Sequence, residues 1–214
     1  MSVINIVALG GVQETGKNLY VVEVDNDLFI LDSGMKYPSS DIRGVDIIIP
    51  DISYIISNSN KVRGIFLSHA HDDHIMAVPH ILKYMRIPVY ASKFTISVLK
   101  ELLVEHGLNP IDFQLIVVDE GTPIRFGKTF VKFINVSHSV PQSMAIVIST
   151  VDGNILYTGN YNFDQNDIDG GGSFTATISY ESVINGGKLT GSLTDNVVDG
   201  SDNTGADEVW EKRL

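Results

Sequence analysis

The sequence VRGIFLSHAHDDH, residues 62–74, places four potential metal ligands directly after an apolar run of strand length. Residues 62–67 predict a β-strand that is buried on both faces. His69 and His71 follow on the loop at the end of that strand, where their side chains can converge on one ion, while Asp73 and His74 turn toward a neighbouring one. Imidazole and carboxylate are usual ligands for zinc and acceptable ones for manganese. The stretch therefore predicts a metal site at the end of a strand.

On either side of this stretch, the first 166 residues alternate β-branched runs with helical patterns, which favours an α/β layered domain. Strands are predicted at residues 3–9, 19–24, 28–31, 62–67, 88–91, 113–118, 129–136, 144–150 and 154–157. Helices are predicted at residues 51–57 with Asp51 as the N-cap, at residues 75–85 with a stop at Pro88, and from a Ser92 cap through Glu105 with Gly107 as its end.

Charge and composition change near residue 167. Residues 1–166 carry a net charge of −5 and residues 167–214 carry −6, which together give the −11 of the whole chain. The second segment opens on DGGGS at residues 169–173, which is typical of a flexible linker. We therefore predict a folded unit over residues 1–166 and an unrelated acidic, Gly-rich tail over 167–214. The tail is interpreted either as a β-hairpin, from residues 174–180 and 188–194, or as poorly ordered chain.

Composition also limits the function classes. The chain has no cysteine, so any metal must be held by histidine and carboxylate. It has no apolar run of about 18 residues and no basic leader, so we predict a cytoplasmic protein without a membrane partner. A net charge of −11 argues against nucleic-acid binding by the whole surface, because phosphate neutralisation requires basic groups. It does not exclude a nuclease whose metal site and local groove contact the phosphates.

The His-x-His-x-Asp-His signature at residues 69–74 resembles that of the metallo-β-lactamase fold. Three further segments resemble the ribonuclease J family, namely ALGGVQETGKN at 8–18, DIIIPD at 46–51 and NVSHSVP at 135–141. The resemblance covers about residues 5–166 and is nearer to the type-two paralogue of that family. It implies an αββα sandwich that is incomplete here and is followed by the acidic Gly-rich tail.

The resemblance also implies a site. His69, His71 and His138 would hold a first metal ion, and Asp73 and His74 would hold a second one and act as catalytic residues. Asp32, at the end of a predicted strand, would orient a ligand imidazole. The implied cofactor is zinc, with manganese as an alternative. The implied reaction is the metal-dependent hydrolysis of RNA phosphodiesters, with exonuclease and endonuclease action both open.

Three departures from the family pattern weaken this expectation. The family has Thr-Gly-Asp where this chain has Thr158-Gly159-Asn160, and that aspartate normally bridges two metal ions. Met76 and Ala77 replace the glycines that usually follow the histidine motif. The last histidine of the chain is His138, so the β-CASP domain and the returning half, which supplies a further ligand histidine, are not matched. We therefore predict one ion per chain rather than two, and weak or absent activity.

Alternative functions remain open. The chain could be a non-catalytic subunit that supports an active ribonuclease J paralogue or an RNA-degrading assembly, and an oligomer is compatible with the sequence. It could also be a small-molecule metallohydrolase such as a thioesterase or lactonase. His80 is interpreted as a packing or surface residue and His106 as a helix-capping residue. The Gly10–Lys17 region lacks phosphate-loop spacing and is interpreted as a turn between strands.

Overall fold

The structure, a computed structural model, describes residues 2–162 and the backbone of two further strands, Thr177–Ile184 and Gly187–Thr194. These two strands pair antiparallel, with Thr177 opposite Thr194. The predicted boundary at residue 166 and the DGGGS segment lie outside the described residues. The division of the chain into a folded unit and an unrelated tail therefore stays a prediction.

The strands are β1 Ile4–Gly10, β2 Leu19–Val24, β3 Asp27–Leu31, β4 Val62–Phe66, β5 Val89–Ala91, β6 Leu115–Val117, β7 Ile124–Phe126, β8 Thr129–Asn135, β9 Met144–Thr150, β10 Gly153–Tyr157, β11 Thr177–Ile184 and β12 Gly187–Thr194. The helices are α1 Ser53–Ser57, α2 Asp72–Ile75, α3 Val78–Leu82 and α4 Lys93–Glu105. Short 3₁₀ turns lie at Ser59–Lys61 and Pro110–Asp112.

The first sheet has the order β1-β2-β3-β4-β5-β6, and its strands β3 to β6 run parallel. Helices connect these parallel strands, because a parallel pair cannot be joined by a tight turn. The carboxyl ends of parallel strands meet at one edge of the sheet. Asp32 follows β3, Ser68 follows β4 and Ser92 follows β5, so polar side chains gather at that edge.

The second sheet, in the order β10-β9-β8-β7, packs against one face of the first. A cluster of aromatic side chains fills the space between the sheets, and the Phe66 and Tyr90 rings stack with centroids 4.8 Å apart. All four helices pack on the opposite face of the first sheet, around residues such as Leu28 and Ile65. The predicted layered α/β architecture is confirmed, and within the described residues helices cover one outer face.

The predicted helix over residues 75–85 is wrong in its boundaries. Helical structure begins at Asp72, ends at Ile75 and resumes only at Val78. Pro79 has no N–H to bond the carbonyl of the preceding turn, so the helix does not continue unbroken through it and Pro79 instead lies in the first turn of α3. The N–H of Ala77 instead donates to the carbonyl of Ser33 at 2.9 Å. The break therefore ties the metal motif to the loop after β3.

Three smaller corrections concern local geometry. Asp51 is not the N-cap of α1, because Ile52 occupies that position and Asp51 instead accepts from the N–H and hydroxyl of Ser53. The strand predicted at 113–118 is shortened to β6, and Phe113 is instead the C-cap of the 3₁₀ turn before it. Strand β7 is not among the predicted strands. By contrast, Ser92 caps α4 through the N–H of Thr95, as predicted.

Strand β1 lies at the border of the first sheet and exposes apolar side chains. Ile6 is 64% exposed, although its strand partner Val22 is buried against the second sheet. The second sheet therefore does not extend over this part of the first sheet within the described residues. No helix in the described part of the chain combines the length and apolar character that a membrane span needs.

Candidate metal centre

Three histidines from distant parts of the chain converge at the carboxyl edge of the first sheet. Nε2 of His69 lies 3.1 Å from Nδ1 of His71, and that atom lies 3.2 Å from Nε2 of His138. One ring nitrogen from each residue lies within 4.8 Å of the others. The loop after β4 carries the first two residues, and the loop after β8 carries the third. The loop after β4 in the first sheet thus meets the loop after β8 in the second sheet at the three histidines.

The donor set fits a divalent cation. Nitrogen ligands bound at about 2.0–2.1 Å in a tetrahedron lie roughly 3.3–3.4 Å apart, which is close to the separations of the His71 nitrogen from its two neighbours. Nδ1 of His69 is already engaged by the hydroxyl of Ser68 at 2.9 Å, so its Nε2 is the nitrogen that faces the cluster. Nδ1 of His138 is buried without a hydrogen-bond partner among the described residues. Its Nε2 points at His71.

Two imidazoles of the cluster, those of His69 and His138, are held in the neutral form. Burial lowers the pKa of His69 to about 3, and the nearby rings of His74, His138 and His71 add to that effect although Asp32 opposes it. Burial likewise lowers the pKa of His138, helped by His71 and His74. A neutral imidazole keeps the lone pair that a metal ion requires. The electrostatics of the cluster therefore favour a bound cation over bound protons.

Asp73 and His74 form a pair next to this cluster. Nε2 of His74 lies 3.4 Å from Oδ2 of Asp73, and the rings of His69 and His74 have centroids 4.1 Å apart. Hydrogen bonding to His74 lowers the pKa of Asp73. Burial opposes a charge on His74, but Asp32 and Asp73 outweigh it and raise the pKa of His74 to about 9. The pair therefore offers an ionised carboxylate beside the three histidines.

Asp32 is fully buried and accepts four hydrogen bonds. The backbone N–H of Ser68 donates to Oδ1 at 2.7 Å. The Ser68 hydroxyl, Nδ1 of His74 and the Tyr157 hydroxyl each contact Oδ2 at 2.7 Å. Burial would raise the pKa of Asp32, but His74 and Ser68 hold it below its ordinary value. Asp32 thus fixes the ring of His74 directly and that of His69 through Ser68.

Sequence reasoning missed two of these partners. No role is predicted for Ser68 from the sequence, and Tyr157 is predicted only as the last residue of a strand. Burial and the adjacent Asp32 raise the pKa of the Tyr157 hydroxyl well above its ordinary value, so it remains a donor. The one available signal was the polar tip of a tyrosine at the end of an apolar strand, and it is weak.

Asn160 is not brought into the histidine cluster. Its side chain is exposed, and no hydrogen bond joins it to another group within residues 2–162. The preceding Gly159 packs closely against the site, because a Cβ there would meet the hydroxyl of Ser68 at 2.9 Å. The loop after β10 therefore reaches the site through Gly159 and Tyr157.

His80 and His106 lie apart from the cluster and contact each other. Their ring centroids are 5.0 Å apart, with an interplanar angle of 76°. His106 occupies the C-cap position of α4, as the sequence indicated. Burial lowers the pKa of His80, followed by the effects of His106 and Lys83. The pair packs α3 against the end of α4.

Acidification is expected to destabilise the metal-free protein. The unfolded chain binds a proton at His69 below about pH 6.5, whereas the folded chain does not until about pH 3, so the free energy of unfolding falls as the pH falls through this window. His74 has a raised pKa, and its stabilising contribution is already complete below pH 6.5. Between pH 6.5 and 5, this effect of His69 lowers the free energy of unfolding by about 2 kcal/mol. Urea denaturation of chelator-treated protein measures it, and a slope unchanged in His69→Gln would contradict it.

Comparison with known proteins supports the same fold. The profile of the metallo-beta-lactamase superfamily matches residues 12–189. Two solved structures are similar: a protein of unknown function from Enterococcus faecalis V583, with a TM-score of 0.57 at 19% identity over 76% of this chain and 44% of that one, and the metallo-beta-lactamase fold protein YhfI from Bacillus subtilis, with a TM-score of 0.50 at 16% identity over 74% and 63%. At these identities the likeness concerns the fold alone.

Curated relatives are more similar in sequence. Ribonuclease J 2 of Streptococcus pyogenes is 46% identical over 165 residues, which are 77% of this chain and 30% of that protein. Ribonuclease J 2 of Staphylococcus saprophyticus is 44% identical over 162 residues, or 76% of this chain and 29% of that protein. The chain thus spans about 30% of the length of these relatives. The resemblance to the type-two ribonuclease J family that the motifs indicated is confirmed over this part.

Proposed function

Because this chain belongs to the metallo-β-lactamase superfamily, we propose that it is a metal-dependent hydrolase of RNA phosphodiesters, of the ribonuclease J type. The convergence of His69, His71 and His138 is the observation that carries this proposal. The similarity to Ribonuclease J 2 supports RNA as the substrate. We also propose a cytoplasmic location, in keeping with an RNA substrate.

The proposed cofactor is one zinc ion per chain, with manganese as the alternative. Three imidazoles suit zinc, which commonly takes three protein ligands in catalytic sites. Within the described residues, the three-histidine cluster is the group in which three potential ligand atoms approach one another. When bound, a divalent cation lowers the pKa of water and offsets negative charge on a phosphate group. Asp73 and His74 form only a pair beside it.

We assign the catalytic roles to Asp73 and His74. Asp73 is about one-third exposed and ionised near neutral pH, so its carboxylate can accept a proton from an attacking water. His74 is buried and held by Asp32, so it keeps Asp73 beside the histidine cluster. Asp32 touches neither the substrate nor the cation in this scheme and acts by orienting His74 and Ser68.

Asn160 supports a second candidate function. The position is occupied by a neutral and exposed side chain, whereas the family pattern has a metal-bridging aspartate there. Activity should therefore be weak, and the chain could instead serve as a non-catalytic subunit beside an active ribonuclease J paralogue. Asn160→Asp distinguishes these readings, because a restored carboxylate should increase RNA hydrolysis only if the rest of the site is competent.

RNA hydrolysis is the decisive test. A 5′-labelled single-stranded RNA incubated with the protein and zinc or manganese should be degraded, and His71→Ala should lower the rate at least about 100-fold because a direct ligand is lost. Elemental analysis of the same preparations should give one metal ion per wild-type chain and close to none for His71→Ala.

His106→Ala is a suitable control, since it removes a histidine whose described ring contact is with His80 and not with the cluster. Its metal content and RNA hydrolysis should match those of the wild type. Equal hydrolysis by wild type and His71→Ala would rule out this site as the source of activity. Two tightly held ions would overturn the single-ion assignment. If neither the wild type nor Asn160→Asp hydrolyses RNA and a full-length paralogue copurifies, the result would favour the role of a non-catalytic subunit.

A further inference from the structure

We propose that the Gly-rich segment at residues 10–18 is a cradle for the side chain of Asn18, and that Asn18 is a positioning residue for Asp73 and His74. The catalytic part of this inference rests on the proposed function, which assigns the catalytic roles to Asp73 and His74. The sequence singled out the segment as a turn, and the chemistry assigned above makes no use of it.

The amide nitrogen of Asn18 faces both members of the catalytic pair. Nδ2 lies 3.0 Å from Oδ2 of Asp73, 3.1 Å from the backbone carbonyl of Asp73 and 3.1 Å from Nε2 of His74. An amide NH₂ group carries two hydrogens, so it can donate to the carboxylate and to the backbone carbonyl of Asp73 together, while it contacts Nε2 of His74. Because Nδ1 of the His74 ring is engaged by Asp32, Nε2 is the ring nitrogen that faces Asn18 and Asp73.

The backbone of Asn18 is fixed independently of its side chain. Its N–H donates to the carbonyl of Asp73 at 3.0 Å, and its carbonyl accepts from the N–H of Gly34 at 2.9 Å. These bonds place Asn18 between the two loops that carry the site. Loss of the side-chain amide should therefore leave the chain path unchanged.

Gly11 explains why the segment is rich in glycine. A Cβ at Gly11 would meet Oδ1 of Asn18 at 2.5 Å, so any larger residue would displace the amide. Gly11 also has a φ of +80°, which favours glycine for a separate reason. Gly121 has a φ of +71° with nothing within 4 Å of a Cβ. Gly121→Ala therefore introduces the same kind of backbone strain as Gly11→Ala without displacing Asn18.

The test uses the ring-nitrogen NMR resonances of the metal-free protein. Asn18→Asp, which keeps the side-chain shape and removes the donor, should shift the His74 ring resonances, and Asn18→Ala should do the same. Gly11→Ala should reproduce the shift, whereas Gly121→Ala should not. The resonances of His80 and His106 serve as internal references and should stay in place in every variant. Thermal melting of each variant confirms that it is folded.

In the metal-loaded protein, Asn18→Asp and Asn18→Ala should lower RNA hydrolysis by about 10-fold or more, with the ion at the three histidines retained. An unchanged His74 resonance in both Asn18 variants, or equal effects of Gly11→Ala and Gly121→Ala, would overturn the inference. If the wild-type chain does not hydrolyse RNA but the His74 shifts occur as described, the proposed function fails while the positioning role of Asn18 stands.

Discussion

Gly34→Ala is expected to lower the free energy of unfolding by at least about 4 kcal/mol, which is a large share of the stability of a domain this size. A Cβ at this position would lie 1.6 Å from the carbonyl oxygen of Asp73 and 2.4 Å from the backbone nitrogen of His74. These are backbone atoms at the start of a helix, so they cannot rotate away as a side-chain tip could. The flanking bonds from Ser33 to His74 and from Met35 to Asp72 hold the two segments together.

Urea denaturation of Gly34→Ala measures this loss. Gly44→Ala is the matched control, because Gly44 has a φ of +76° and open space around a Cβ. It should cost only the strain of a left-handed residue, about 1–2 kcal/mol. A Gly34→Ala protein as stable as Gly44→Ala would show that the loop after β3 does not pack against the histidine motif as described.

Asp32→Asn is expected to cost at least about 3 kcal/mol of stability and to weaken metal binding roughly 10- to 100-fold. Four donors converge on the two carboxylate oxygens, whereas an amide offers one oxygen and turns a donor toward the others. His74 would also lose its buried counter-charge. The substitution keeps the side-chain volume, so a cavity does not explain the loss.

Chemical denaturation and a metal titration of the same variant test both parts. Asp51→Asn is the control, because Asp51 is exposed and its hydrogen bonds within residues 2–162 come from Ser53. It should change stability by less than about 1 kcal/mol and leave metal binding intact. Equal effects of the two substitutions would mean that Asp32 does not organise the site.

The strand-end position of the histidine motif could be predicted from the sequence because both of its signals are local. An apolar run predicts a strand, and polar residues directly after it must lie at the edge of the sheet. Ser92 was predicted as a cap for the same reason, since a helix N-terminus is recognised from a few neighbouring residues. The αββα class followed from the resemblance rather than from these patterns.

The partners of Asp32 could not be predicted, because they come from separate parts of the chain. Ser68 and Tyr157 reach one carboxylate only after both sheets have formed. The close approach of Gly34 to Asp73 is equally non-local and leaves no periodic signal in the sequence. The break between α2 and α3 was missed because its cause includes the bond from Ala77 to Ser33, a tertiary contact.

The hydrogen bond between Tyr157 and Asp32 joins residues that are 125 positions apart. Closing a loop of this length costs conformational entropy, which the packing of both sheets must offset. During synthesis the histidine motif leaves the ribosome before β8 and β10. The complete three-histidine site can therefore assemble only after His138, on the loop after β8, has been synthesised.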